Sequence, residues 1–243
     1  MKRLIAIFAL CCALPLSAQW TIGQIGNMLA SGGPFSISNN FCVSAGSATS
    51  FTTSAIDTTG ATTIVVLVSV YNGALPVTIT DNKGNGSATK LTAYGLSGQG
   101  AAQIAYWTSP TVGTGHTFSF SSSTGMYAAV CILPIKGATT FDAGTDSGGT
   151  FTSANSCQAR SAINPGSGNH IVIAGYLSNI LPSGTMTINS SYTIDGHVNY
   201  AAAINYGTAV AHLVQSPNGS LTNPTWSETG SPLALACSLA SFH

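Results

Sequence analysis

The chain has 243 residues, of which only 5% are charged, 44% are hydrophobic and 27 are glycine, with six cationic and six acidic side chains in balance. A disordered tail needs low hydrophobicity and high charge, a coiled coil needs Glu/Lys-rich heptads, and a nucleic-acid binder needs a basic stripe. None of these is present, and what remains is a Gly/Ser/Thr/Ala and β-branched chain long enough for one large β domain.

Met1, Lys2 and Arg3 supply a positive start, residues 4–14 an apolar run, and Leu16-Ser17-Ala18 a small-residue cleavage site, so residues 1–18 read as a signal peptide. The apolar run is shorter than the roughly 20 residues that span a bilayer, and no later segment reaches that length. Leu10 stands where a lipobox needs a small residue, which argues against a lipidated Cys11. Cleavage leaves Lys83, Lys90, Lys136 and Arg160 against Asp57, Asp81, Asp142, Asp146, Asp195 and Glu228, a formal charge of −2. So few charges make no electrostatic case for nucleic acid or anionic lipid.

Residues 19–40 form a polar leading stretch, after which strand follows strand. Residues 77–80 and 117–121 alternate apolar and polar side chains, the mark of a strand with one wet face. Residues 64–68, 127–135 and 170–174 are continuous apolar runs and read as central strands. Turn signals at 71–73, 81–86, 167–169 and 217–220 separate them at the spacing of a sandwich or barrel. No amphipathic helix is evident.

The chain also resembles itself. At one offset Thr62-Thr63-Ile64-Val65-Val66-Leu67 aligns with Gly168-Asn169-His170-Ile171-Val172-Ile173, and Ala129-Val130-Cys131 with Leu235-Ala236-Cys237. At a slightly shorter offset Ala101-Ala102-Gln103-Ile104-Ala105-Tyr106 aligns with Ala201-Ala202-Ala203-Ile204-Asn205-Tyr206. Three blocks in the same order indicate duplicated halves, about 51–137 and 157–243. Halves this small are expected to share one core, in a single domain over 41–243.

After signal removal four cysteines remain, Cys42, Cys131, Cys157 and Cys237, an even number that implies two disulfides in an oxidising compartment. Their spacings are too wide for the paired knuckles of structural zinc. Three connectivities are open. If each half donates strands to both sheets, Cys131 falls beside Cys157 and Cys42 beside Cys237, the preferred pairing.

The order of an Ile/Val-rich strand ending in an aromatic-Asn turn (64–73), a Thr-x-x-Asp-x-x-Gly-Asn turn (78–85), Gln103-Ile104-Ala105-Tyr106-Trp107, the strand at 115–120, the strand at 131–137, Phe141-Asp142 and a closing Ala-rich strand ending Ala240-Ser241-Phe242 carries a resemblance. It is similar to a jelly-roll-like β-sandwich module found in large bacterial secreted or surface proteins and in phage virion and tail proteins. The resemblance implies an all-β sandwich without agreed catalytic residues. The four cysteines and the signal peptide depart from its usual pattern, and the signal argues against a virion protein.

Chemistry-bearing residues are sparse. Asp142 and Asp146 are the closest acidic pair, as a glycosidase would need, but they sit in a Gly/Ser/Thr-rich connection that a solvated turn explains equally well. Gly95-Leu96-Ser97-Gly98-Gln99 lacks the second glycine of a nucleophile elbow. His116, His170, His197, His212 and His243 are scattered without metal-ligand spacing, so no metal site is assigned. Asp81-Asn82-Lys83-Gly84-Asn85 places oxygens close enough for Ca²⁺, but it has one carboxylate and a central lysine. Trp107, Trp226, Tyr94, Tyr176 and Tyr192 are the candidates for a sugar-stacking platform.

These readings together predict a secreted or cell-surface, non-enzymatic binding or structural β-sandwich. It is expected to need no cofactor and to have no transmembrane segment after cleavage, with a polysaccharide or an envelope protein as partner. A lectin-like carbohydrate-binding module is the alternative, and a phage structural protein the second.

Overall fold

The structure is a computed structural model that describes residues 34–71, 75, 77–152, 154–179, 185–189, 191–199, 207–215, 221–230 and 234–243. The signal peptide and the repeat block 201–206 lie outside the described residues, as do the turn signals at 72–73 and 217–220. Residues Pro34–His243 form one compact unit. It starts before the expected 41, because Ser36 and Ile37 pair with Lys136 and Ile135.

In chain order the described strands are β1 (Ser36–Ile37), β2 (Phe41–Thr52), β3 (Thr63–Tyr71), β4 (Thr78–Asp81), β5 (Thr89–Leu96), β6 (Gly100–Thr108), β7 (Phe118–Lys136), β8 (Ser147–Thr152), β9 (Ser156–Gln158), β10 (His170–Ser178), β11 (Met186–Ile188), β12 (Thr193–Asn199), β13 (Gly207–Gln215), β14 (Thr225–Glu228) and β15 (Ala234–Phe242). Every pairing among them is antiparallel, and the fold is an all-β sandwich. Among the described residues no helix is long and apolar enough to cross a membrane.

The strand order repeats between the halves. The first large sheet runs β2-β7-β3-β6-β5 and the second β8-β15-β10-β13-β12. Each has a small companion layer: residues 118–121 of β7 pair with β4 and with residues 50–52 of β2, and the separate strands β11-β14-β9 do the same in the second half. The long strands β2 and β7 thus serve both layers of their half. Register shifts between Ala45 and Ser50 mark where β2 passes from one layer to the other. The topological counterpart of β6 is β13.

The large sheets face one another, with β5 against β8 and β12 against β2, so β3 and β10 have both faces covered. That explains their continuous apolar runs. In β3, Val65 and Leu67 enter an inner core between the large sheets, while Ile64, Val66, Val68 and Val70 enter an outer core beneath β4. In β10, Ile171, Ile173 and Leu177 join the inner core, and Val172, Ala174 and Tyr176 a second outer core beneath β14. Fully burying each such side chain contributes about 1.5–3 kcal/mol. The expectation of one shared core is therefore refined: the halves share the inner core, and each also builds its own. Gly175 leaves room for the facing sheet, since a Cβ there would come within 2.6 Å of a Leu67 methyl and 2.5 Å of the Ser238 Oγ on the neighbouring strand.

The two disulfides are Cys42–Cys131 and Cys157–Cys237, which corrects the expected pairing. With β1–β7 as one half and β8–β15 as the other, each half makes its own pair of layers rather than lending strands to the other, so each bridge closes within a half. Cys42 on β2 lies directly opposite Cys131 on β7, with their Cα atoms 4.1 Å apart. Cys157 lies in the small layer over Cys237 on β15, at 6.0 Å. The aligned cysteines Cys131 and Cys237 do stand on corresponding strands, but Cys131 faces the inner core and Cys237 the second outer core. Side chains alternate faces along a strand, and Cys131 lies opposite Leu67 whereas Cys237 lies opposite Tyr176 rather than Ile173, a register shift of three residues that turns one cysteine over.

Candidate functional site

Four of the five histidines meet an aspartate, which their scattered spacing hides. His116 Nε2 lies 3.3 Å from Asp81 Oδ2, His170 Nδ1 2.8 Å from Asp142 Oδ2, and His212 Nδ1 2.8 Å from Asp195 Oδ1; His243 Nδ1 contacts Asp142 Oδ1. These groups are far apart in sequence and are brought together by strand pairing: β12 runs beside β13, β10 beside β15, and Phe141 bridges Phe242.

Asp142 is the centre of the largest cluster, and its carboxylate is buried, not in the solvated turn expected of it. It lies between β7 and β8, where the first half passes into the second. Its Oδ2 accepts from the Ser241 hydroxyl and lies within hydrogen-bond distance of His170, and its Oδ1 meets His243. The backbone around it is held on both sides. Asp142 N donates to Ser241 O, His243 N to Thr140 O, Thr140 N to His243 O, and Phe141 bridges Phe242. An open depression of about 450 Å³ adjoins the cluster, with Phe35, Asp142, Asn169, His170 and His243 among its lining residues.

Asp146 goes elsewhere. Its Oδ2 accepts from the backbone and hydroxyl of Thr92 at 2.7 and 2.6 Å, and its Oδ1 from Tyr94 Oη at 3.3 Å, fastening β5 to the approach of β8. The two acids, four residues apart in sequence, thus have separate partners.

The Asp81 turn is also occupied internally. Asp81 Oδ1 accepts from the backbone of Lys83 and Asn85, and Oδ2 accepts from Asn85 Nδ2, while Lys83 Nζ donates to Thr114 O. Burial pushes the Asp81 carboxyl up, but hydrogen bonds from Asn85, His116 and Lys83 outweigh it and hold the carboxyl below its usual range. This is an Asx-type turn whose carboxylate is held by donors of the turn itself. Its partner His116 is fully buried, stacks on Phe118, and shares a 2.8 Å hydrogen bond with Thr58 Oγ1. Burial lowers its pKa.

Four of the five aromatics proposed as a sugar platform are in the interior. Trp226 stacks on Tyr176 at 5.1 Å, Trp107 Nε1 donates to Gly86 O, and Tyr192 shares a hydrogen bond with Thr222. Burial pushes the Tyr192 hydroxyl up to about 12. Tyr94 is half-buried, with its ring lying over Gly148, where a Cβ would come within 2.3 Å. Ordinary strand packing accounts for these five residues.

Glu228, on β14, is buried and accepts a 2.7 Å hydrogen bond from Ser178. Burial raises its pKa above the ordinary carboxylate value, and the bonds from Ser178 and Tyr176 offset this only in part. The folded state therefore holds the Glu228 proton more tightly than the unfolded chain does. The associated stability is present below the ordinary carboxylate range and is lost as pH rises through the raised value. Glu228→Gln removes the charge and keeps the shape, so it is expected to raise the urea midpoint at pH 7 relative to the parent. The gain should shrink toward zero near pH 4, and an equal gain at both pH values would refute the assignment.

Comparison of the chain with protein-family models, curated proteins and solved structures finds no match.

Proposed function

We propose that this chain is an extracytoplasmic, non-enzymatic β-sandwich module with a structural or binding role at or beyond the cell surface. The observation that carries this reading is the pair of disulfides, one in each half of a charge-poor sandwich. Such bonds persist in oxidising compartments and are reduced in the cytosol. The engagement of Asp81, Asp142, Asp195 and Glu228 by neighbouring side chains supports a non-catalytic role, because each is used to join strands. Burial of the aromatic candidates favours a structural role over the lectin-like one, which would need another surface.

The test is fractionation of cells expressing the full chain, with thiols counted in the recovered protein, followed by sedimentation and a glycan array on the oxidised form. Recovery outside the cytoplasm with all four cysteines blocked, together with self-association or retention by envelope material, is the expected result. A cytosolic protein with free thiols overturns the location. A monomer with a specific glycan hit replaces the structural role with the lectin-like one.

A further inference from the structure

Three side chains distant in sequence converge beside the open depression: Asp142 from the connection between the halves, His170 at the start of β10, and His243 just past β15. One ligand atom from each lies within 4.8 Å of the others. The separations along the chain, 28 residues from Asp142 to His170 and 101 to His243, match no metal-binding motif. Only the fold assembles the set.

Two imidazoles and a carboxylate form a donor set suited to the divalent transition metals that imidazole favours. Calcium and magnesium, which take oxygen ligands, fit it poorly. The carboxylate is already oriented by the Ser241 hydroxyl, an outer contact of the kind that holds metal-ligating carboxylates in place. His170, its side chain only 5% exposed, has no partner at Nε2, so its polar anchoring is through Nδ1, the atom aimed at Asp142. The backbone bonds that link residues 139–142 to residues 241–243 hold two of the three donors in place before any ion arrives.

The other His–Asp pairs differ in ways that matter. Asp81 and His116 are wholly enclosed, their side chains 0% exposed, and Asp195 meets His212 alone. Among the described residues only the Asp142 cluster groups three such donors, and it has access to solvent through the depression and the half-exposed His243 ring.

We propose that Asp142, His170 and His243 bind a divalent transition-metal ion of the zinc type, through the carboxylate and the two imidazoles, with its remaining positions open to the depression. Three protein ligands with an open position leave room for water or for a donor group from a bound molecule. This site goes beyond the structural reading above and does not depend on it.

The test uses the full oxidised chain, stripped with chelator and titrated with Zn²⁺ by calorimetry and with Co²⁺ by visible absorption. One ion per chain is expected, with neither Ca²⁺ nor Mg²⁺ competing at equal concentration. His243→Ala, at a half-exposed position that leaves the carboxylate's buried partners intact, should weaken binding by more than about tenfold. His170→Ala should do the same, with circular dichroism confirming that each variant is folded. His197→Ala, on exposed β12 outside the cluster, should bind as the parent does. No saturable binding by the parent, or binding unchanged in folded His243→Ala, overturns the proposal.

Discussion

Replacing Asp142 by alanine is expected to cost about 3–5 kcal/mol of folding stability, the scale for removing one partner from a buried ionic or hydrogen-bonded group. The carboxylate accepts from Ser241 and contacts both His170 and His243; Ser241 and His170 are buried. Alanine leaves the buried Ser241 hydroxyl and His170 Nδ1 without their protein partner. Each orphaned group costs about 1–3 kcal/mol. The loss is not confined to one side chain, because this knot closes the junction between the halves: the 138–146 connection, the first residue of β10 and the end of β15 all meet at Asp142. Asp142→Asn, which keeps the shape but has a single acceptor oxygen, should fall between alanine and the parent. Urea denaturation of the three proteins, read as midpoint and slope, checks this. A loss below about 1 kcal/mol for alanine would show that the cluster does not hold the junction together.

Breaking the disulfides is expected to have the second large effect. The bridges close chain separations of 89 and 80 residues that do not overlap, so each constrains a different part of the unfolded chain. The loop-entropy model assigns each about 4.5 kcal/mol, within the 2–5 kcal/mol typical of native bridges in small secreted domains. Together they rival the whole 5–15 kcal/mol stability of an ordinary domain. The double variant Cys157→Ala/Cys237→Ala should cost more than Cys42→Ala/Cys131→Ala. The former removes two buried sulfurs from the second outer core, whereas Cys42 is only partly buried. Thermal melts with and without reductant check the total, and fragment mapping of the oxidised chain checks the pairing. An unchanged melting temperature on full reduction would overturn the expectation.

Much of the architecture is legible one residue at a time. The period-two alternation at 77–80 and 117–121 marks strands whose apolar side chains, Val77, Ile79, Phe118 and Phe120, are all fully buried. The apolar runs at 64–68 and 171–174 mark strands covered on both faces, where a polar side chain has to find a protein partner in place of water. The even number of cysteines after the expected signal implies two bridges, and two are found.

Side-chain meetings between distant strands are different in kind. The preferred cysteine pairing assumed a two-layer sandwich with strands exchanged between halves. The four-layer stacking, with an inner core between two large sheets, places each bridge within its own half instead. The same stacking buries Trp107, Trp226, Tyr176 and Tyr192, since which face of a strand is wet depends on what packs over it. Pairing within the second sheet, rather than stacking, gathers Asp142, His170 and His243, because β10 runs beside β15 and Phe141 bridges Phe242; their spacing along the chain follows neither the helical nor the strand period. Local periodicity reports the environment of each strand, and so the strands, their burial and the number of bridges belong to the sequence by itself. Which strand faces which is settled by sheet order and register over separations of 28 to 101 residues. The disulfide partners and the candidate metal site are therefore consequences of the tertiary structure alone.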